Sequence, residues 1–156
     1  MTAYRLLVTT ALALALLAFV LVLAQRAGAP AVVADPVRTP GVLNPDVTQA
    51  TIGTTICVQG WTRSVRPPTE YTNALKLRQM RAYGESGPPS AFQEDHLISL
   101  ELGGHPTDPR NLWPEPYPRA SHVDAIENEL NAQVCSGSLT LSQAQEKESA
   151  LKHNQG

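Results

Sequence analysis

Positive charge is in short supply in this sequence. Twelve lysines and arginines stand against fourteen aspartates and glutamates, for a formal net charge of −2. No global basic field therefore advertises a nucleic-acid partner. Cysteine is scarcer still, with Cys57 and Cys135 the only two. No Cys-x-x-Cys or close Cys-His pair accompanies them, which argues against a zinc role for these thiols. Thirteen prolines and ten glycines in 156 residues argue against a long helical bundle and for short elements joined by fixed turns.

What is present begins with residues 6–24, a nearly unbroken apolar run behind Arg5 that only Thr9 and Thr10 interrupt. Its 19 residues come close to the roughly 20 that span a bilayer. Residues 1–29 are expected to be a signal peptide or a membrane anchor, with small residues suited to cleavage at Ala24 and Ala34. Residues 30–45, rich in Ala, Pro and Val, are expected to be a flexible linker. Residues 46–152 then make one domain, small enough to benefit from a covalent staple. In an exported chain the even cysteine count predicts a Cys57–Cys135 disulfide. Closing so long a loop stabilises by on the order of 4 kcal/mol.

Within the domain, the β-branched residues 51–58 predict a short strand or extended segment, which Arg66-Pro67-Pro68 ends. Residues 69–83 predict a helix with Thr69 as its cap, Leu75, Leu77, Met80 and Tyr83 toward a core, and Gly84 as its stop. Between Trp61 and Tyr83 the chain carries Arg63, Arg66, Lys76, Arg78 and Arg81 against Glu70 alone. This local basic field suits phosphates, though the same charges also fit an ordinary solvated face. Residues 140–151 read as a short polar helix that frays at its end, and His105 and His153 read as solvated.

The centre of the sequence is Glu94-Asp95-His96-Leu97-Ile98-Ser99-Leu100-Glu101-Leu102-Gly103-Gly104, followed by Asn111-Leu112-Trp113-Pro114. An acid and an imidazole stand at the head of an apolar run expected to be a strand. A glycine pair then turns the chain, and a polar loop delivers an asparagine. Neighbouring residues of a regular strand face opposite ways, so Asp95 and His96 serve one site only at a strand end or a distortion. Beyond the loop, Ser121-His122-Val123-Asp124 has the form of a capping box, and Val123, Ile126, Leu130 and Val134 make a helical apolar stripe.

This pattern resembles the HNH (His-Me finger) endonucleases, small exported type, over roughly residues 44–146. The resemblance implies an α+β fold with a ββα-metal core and flanking helices, and a metal-dependent endonuclease acting on DNA, with RNA as the alternative, and with little sequence preference. It implies His96 as general base, with Asn111 bracing the loop and orienting the His96 ring by a hydrogen bond. Asp95 and His122 would hold one divalent cation, Mg²⁺, Mn²⁺ or Zn²⁺. The family's usual ligand spacing falls on Arg119 instead, which leaves Asp124 and Glu127 as alternative helix ligands. Arg110, Arg119 and Arg66 are candidate phosphate contacts, since a planar guanidinium matches phosphate oxygens. The expected partner is nucleic acid, together with a membrane if the N-terminal segment is kept, and the chain is expected to be monomeric. A binding or envelope module that keeps the scaffold without catalysis is the competing expectation.

Overall fold

The computed structural model describes residues 33–154. The apolar run at 6–24 lies outside them, and so does the expectation of a signal peptide or anchor. Among the described residues no helix is long and apolar enough to cross a membrane. The architecture is α+β. Helices α1 (Trp61–Val65) and α2 (Thr69–Tyr83) precede strands β1 (Phe92–His96) and β2 (Leu112–Pro116), and helices α3 (Arg119–Cys135) and α4 (Leu141–His153) follow. Short 3-10 turns sit at Ile52–Thr54, Pro89–Ala91, Leu100–Leu102 and Pro109–Asn111.

Helix α2 has the limits that its punctuation dictates. Pro67 and Pro68 precede it, and Gly84 ends it in the left-handed conformation (φ 72°), where glycine carries no Cβ penalty. Thr69 is its first residue and not its cap, a position that Pro68 takes without a side-chain bond. Leu75 and Met80 are buried, whereas Leu77 is 46% exposed.

Residues 51–58 are not a strand. Their threonine hydroxyls bond the local backbone instead: Thr51 Oγ1 donates to the Asp46 carbonyl at 2.8 Å and Thr55 Oγ1 to the Thr51 carbonyl at 2.8 Å. Such bonds favour turns over a ladder, and a 3-10 turn results. The apolar run after His96 is not a strand either. Pairing involves the residues before it, with Phe92 opposite Pro116, Asp95 opposite Trp113 and His96 opposite Leu112 in an antiparallel pair. Leu97, Ile98, Leu100 and Leu102 are buried beyond the strand end. Among the described residues neither strand pairs with a third, and such an edge accommodates Pro114 and Pro116.

The expected linker is packed where it is described. Ala34 is fully buried and its N–H donates to the Lys152 carbonyl at 3.0 Å. Leu43 forms a bridge with Gly104. Buried Val47, Ile56, Ile98, Leu102, Leu130, Val134, Leu141 and Ala144 form the main core. A second cluster joins Ala34, Leu97 and Trp113, with Tyr83 against it. A disulfide joins Cys57 to Cys135, the last residue of α3, with Cα atoms 5.6 Å apart. It fixes the segment before α1 to the end of the helix that follows the hairpin.

Candidate metal centre

Asp95 and His96 are the last two residues of β1, which is the strand end their joint use requires. The loop between the strands is held by Asn111, fully buried at the base of β2. Its Oδ1 accepts from the Ile98 N–H at 3.0 Å, and its Nδ2 donates to the Ile98 carbonyl at 3.0 Å and the His105 carbonyl at 3.1 Å. Gly104 makes this clasp possible, because a Cβ there would lie 1.7 Å from the Ile98 carbonyl oxygen and 2.7 Å from Asn111 Nδ2. Asn111 thus braces the loop, but it does not bond the His96 ring. That ring bonds the Pro106 carbonyl through Nε2 at 3.0 Å.

A carbonyl only accepts, so Nε2 carries the proton and Nδ1 keeps the lone pair. Burial holds the imidazole below its ordinary pKa, against the opposing pull of the Pro106 bond and of Asp95. His96 is therefore neutral at pH 7, the form in which a base can accept a proton.

His96 lines a cavity of about 50 Å³ together with Arg66, Gln93, Asp95, Ser99, Glu101, Asp124 and Glu127. Asp95, Asp124 and Glu127 each bring a carboxylate oxygen within 4.8 Å of the others. Gln93 bridges two of them, its Nε2 lying 3.2 Å from Asp95 Oδ1 and 3.3 Å from Asp124 Oδ1. His122 is exposed and does not line the cavity. Helical geometry explains why, since residues two apart point roughly 200° away from each other. Asp124 and His122 therefore take opposite flanks of α3, and the flank that meets the strand end carries Asp124 and Glu127. The helix also begins at Arg119, with Pro118 as its cap, so Ser121 is not the cap. Among the described residues a capping box lies elsewhere, between Thr140 and Gln143 on α4.

Of the three candidate phosphate arginines, only Arg66 borders the cavity. Arg110 forms a two-pronged pair with Asp108, with Nε to Oδ1 at 3.0 Å and Nη2 to Oδ2 at 2.7 Å. Arg119 pairs with fully buried Glu115, donates to the Leu151 carbonyl at 2.6 Å and stacks over Trp113. His153 is not solvated either: its Nε2 bonds the Thr39 carbonyl at 2.9 Å.

Comparisons with protein-family models, with curated proteins and with solved structures find no match. The chemistry of the centre therefore rests on its own residues.

Three of these have no place in the sequence reading. Lys152 is fully buried, and its ammonium reaches Asp95 Oδ2 at 2.7 Å and Glu127 Oε1 at 2.6 Å, with Glu148 at 3.7 Å. Glu115, on the neighbouring strand, is fully buried with Arg119 on Oε1 and no partner on Oε2, and Glu148 accepts from the Ser99 N–H at 2.9 Å. The environment drives these acids apart. Burial opposes the charge of Asp95, yet the Lys152 ammonium bonded to it holds its carboxyl well below the usual range. Burial pushes Glu115 up to about 8 and Glu127 up to about 7, and raises Glu148 well above its ordinary value. Burial also opposes the charge of Lys152, but the surrounding carboxylates keep it an ammonium.

The residues fit a divalent cation. Asp95, Asp124 and Glu127 supply hard oxygen donors, with neither thiolate nor imidazole among them, a set that suits Mg²⁺ or Mn²⁺ better than Zn²⁺. Glu101 Oε2 is buried at the same cavity with no partner, and the carboxylates around the cavity outnumber the cations. The cavity, of about 50 Å³, has room for an ion with a water but not for a nucleotide.

Proposed function

We propose that this chain is a metal-dependent endonuclease of the HNH type, built on a ββα-metal core and acting on DNA or RNA with little sequence preference. The observation that carries the reading is a neutral, buried imidazole at the end of β1 sharing one small cavity with four carboxylates, three of which converge, on a β1–β2–α3 unit whose loop a buried asparagine clasps. His96 Nδ1 takes the proton of the attacking water, while the Pro106 carbonyl fixes the ring. Asp95, Asp124 and Glu127 would hold the cation, which when bound supplies charge for the phosphorane-like transition state and the leaving oxygen. Arg66 at the rim pairs with a phosphate oxygen, and the other basic residues of α1 and α2 add phosphate attraction that carries no base preference. The disulfide is compatible with an oxidising compartment and supports an exported protein, secreted or anchored with the domain outside.

Incubation of the protein with plasmid and Mg²⁺ or Mn²⁺, with and without chelator, tests the reading. Cleavage that the chelator abolishes and that His96→Ala lowers by roughly 10²–10⁴-fold, the range for loss of a general base, is expected. An active His96→Ala overturns the mechanism.

One observation favours a second reading. Lys152 already satisfies Asp95 and Glu127, so the acid cluster holds together without an ion, as a non-catalytic binding or envelope module requires. Absence of cleavage with every divalent ion tried selects this reading.

A further inference from the structure

Lys152 ends a buried stripe on α4 that runs Leu141, Ala144, Glu148, Lys152. Its ammonium has three protons and three acceptors at bonding distance: Asp95 Oδ2 at 2.7 Å, Glu127 Oε1 at 2.6 Å and the His96 carbonyl. The backbone around it is pinned. Ala34 N–H donates to the Lys152 carbonyl at 3.0 Å, Arg119 bonds the Leu151 carbonyl at 2.6 Å, and His153 bonds the Thr39 carbonyl at 2.9 Å. This ammonium is a fixed part of the centre and not the tip of a loose tail.

Its contacts divide the carboxylates into two sides. On the closed side Lys152 takes one oxygen of Asp95 and one of Glu127, and Glu148 lies behind it. On the open side Asp95 Oδ1 meets only the neutral amide of Gln93, which it shares with Asp124 Oδ1. A neutral amide gives way to a cation far more readily than an ammonium held by two carboxylates and a carbonyl. Oxygens that converge on a buried ammonium also present the donors a metal ion requires.

We propose that Lys152 is a positioning residue whose ammonium fills a second cation position between Asp95, Glu127 and Glu148. It thereby limits the centre to one divalent ion, on the side shared by Asp95, Asp124 and Glu127. The inference rests on the metal-binding part of the proposed function, but it is read by ion count and folding, not by cleavage.

The experiment titrates Mn²⁺ into the wild-type protein, Lys152→Met and the double variant Lys152→Met/Glu148→Gln. Bound ion is followed by electron paramagnetic resonance, and thermal unfolding is measured with and without Mn²⁺. The wild type is expected to bind one ion and Lys152→Met two, with Mn²⁺ raising the Tm of Lys152→Met more than that of the wild type. The double variant should lose the second ion, because it lacks the Glu148 carboxylate. If Lys152→Met is unfolded without metal, recovery of its helical circular dichroism on adding Mn²⁺ is the same result. A wild type that binds no ion beside a Lys152→Met that binds one supports the inference and counts against the nuclease. Equal single-ion binding with equal Tm shifts overturns the inference while leaving the nuclease standing. Failure of Lys152→Met to bind any ion, or to fold with Mn²⁺, also overturns it.

Discussion

Glu94 offers a test of the physical reasoning that needs no assumption about function. It lies on β1 one residue before Asp95, and both of its carboxylate oxygens are buried without a partner. Burial pushes its pKa from the ordinary 4.5 to about 8, against the pull of Lys76 and Arg78 on α2. In the unfolded chain the group ionises near its ordinary value, so between these two pKa values the folded state binds the extra proton. Stability must then fall as pH rises, by about 1.4 kcal/mol per pH unit for one such group, and level off above the folded pKa. Glu94→Gln keeps the size of the side chain and removes the titration. Urea unfolding of both proteins at about pH 5 and about pH 8 should show the variant gaining on the order of 3 kcal/mol over the wild type across that interval. Taking the difference between the proteins cancels the parallel titrations of Glu115, Glu127 and Glu148. Parallel stability curves for the two proteins would refute the assignment of a buried, unpaired carboxyl.

At the centre, His122→Ala should bind metal and cleave like the wild type, whereas Asp124→Asn and Glu127→Gln should weaken metal binding, with excess cation restoring cleavage; calorimetry beside plasmid nicking reads both. Asn111→Ala leaves the Ile98 N–H and the Ile98 and His105 carbonyls without their partner, and should cost about 3 kcal/mol in denaturant unfolding. Non-reduced peptide mapping should join Cys57 to Cys135, and reduction should lower stability by on the order of 4 kcal/mol; free thiols in the native protein would contradict the bond.

Local punctuation made part of the fold legible. Helix α2 is bounded by its prolines and Gly84, and the disulfide follows from the even count of two cysteines read together with the apolar run at 6–24. The strand is where local reading failed. Apolar residues after His96 suggest pairing, yet Leu97 packs with Ala34, Tyr83 and Trp113 and Leu102 with Val47 and the helices, and the ladder runs through the polar Gln93, Glu94 and Asp95. Two-residue errors matter most on α3. The apolar stripe placed His122 and Asp124 on its two flanks, and only the docking of the sheet decides which flank meets the acid of β1.

Some of what was missed had a signal in the spacing. The buried stripe of α3 runs Ala120, Val123, Glu127, Leu130, Val134, and that of α4 runs Leu141, Ala144, Glu148, Lys152. Three charged residues thus occupy positions that helical period reserves for apolar ones. An unpaired buried charge is too costly to persist, so each predicts a partner, and two acids with one amine on packed helices predict one another. The structure adds Asp95, which strand pairing brings to Lys152 from 57 residues away. Removing any one member leaves the others buried and uncompensated, which costs far more than the net worth of the pair. The acid centre is therefore a structural joint between β1, α3 and α4 as well as a candidate metal site, and substitutions in it are best judged by ion binding and folding together.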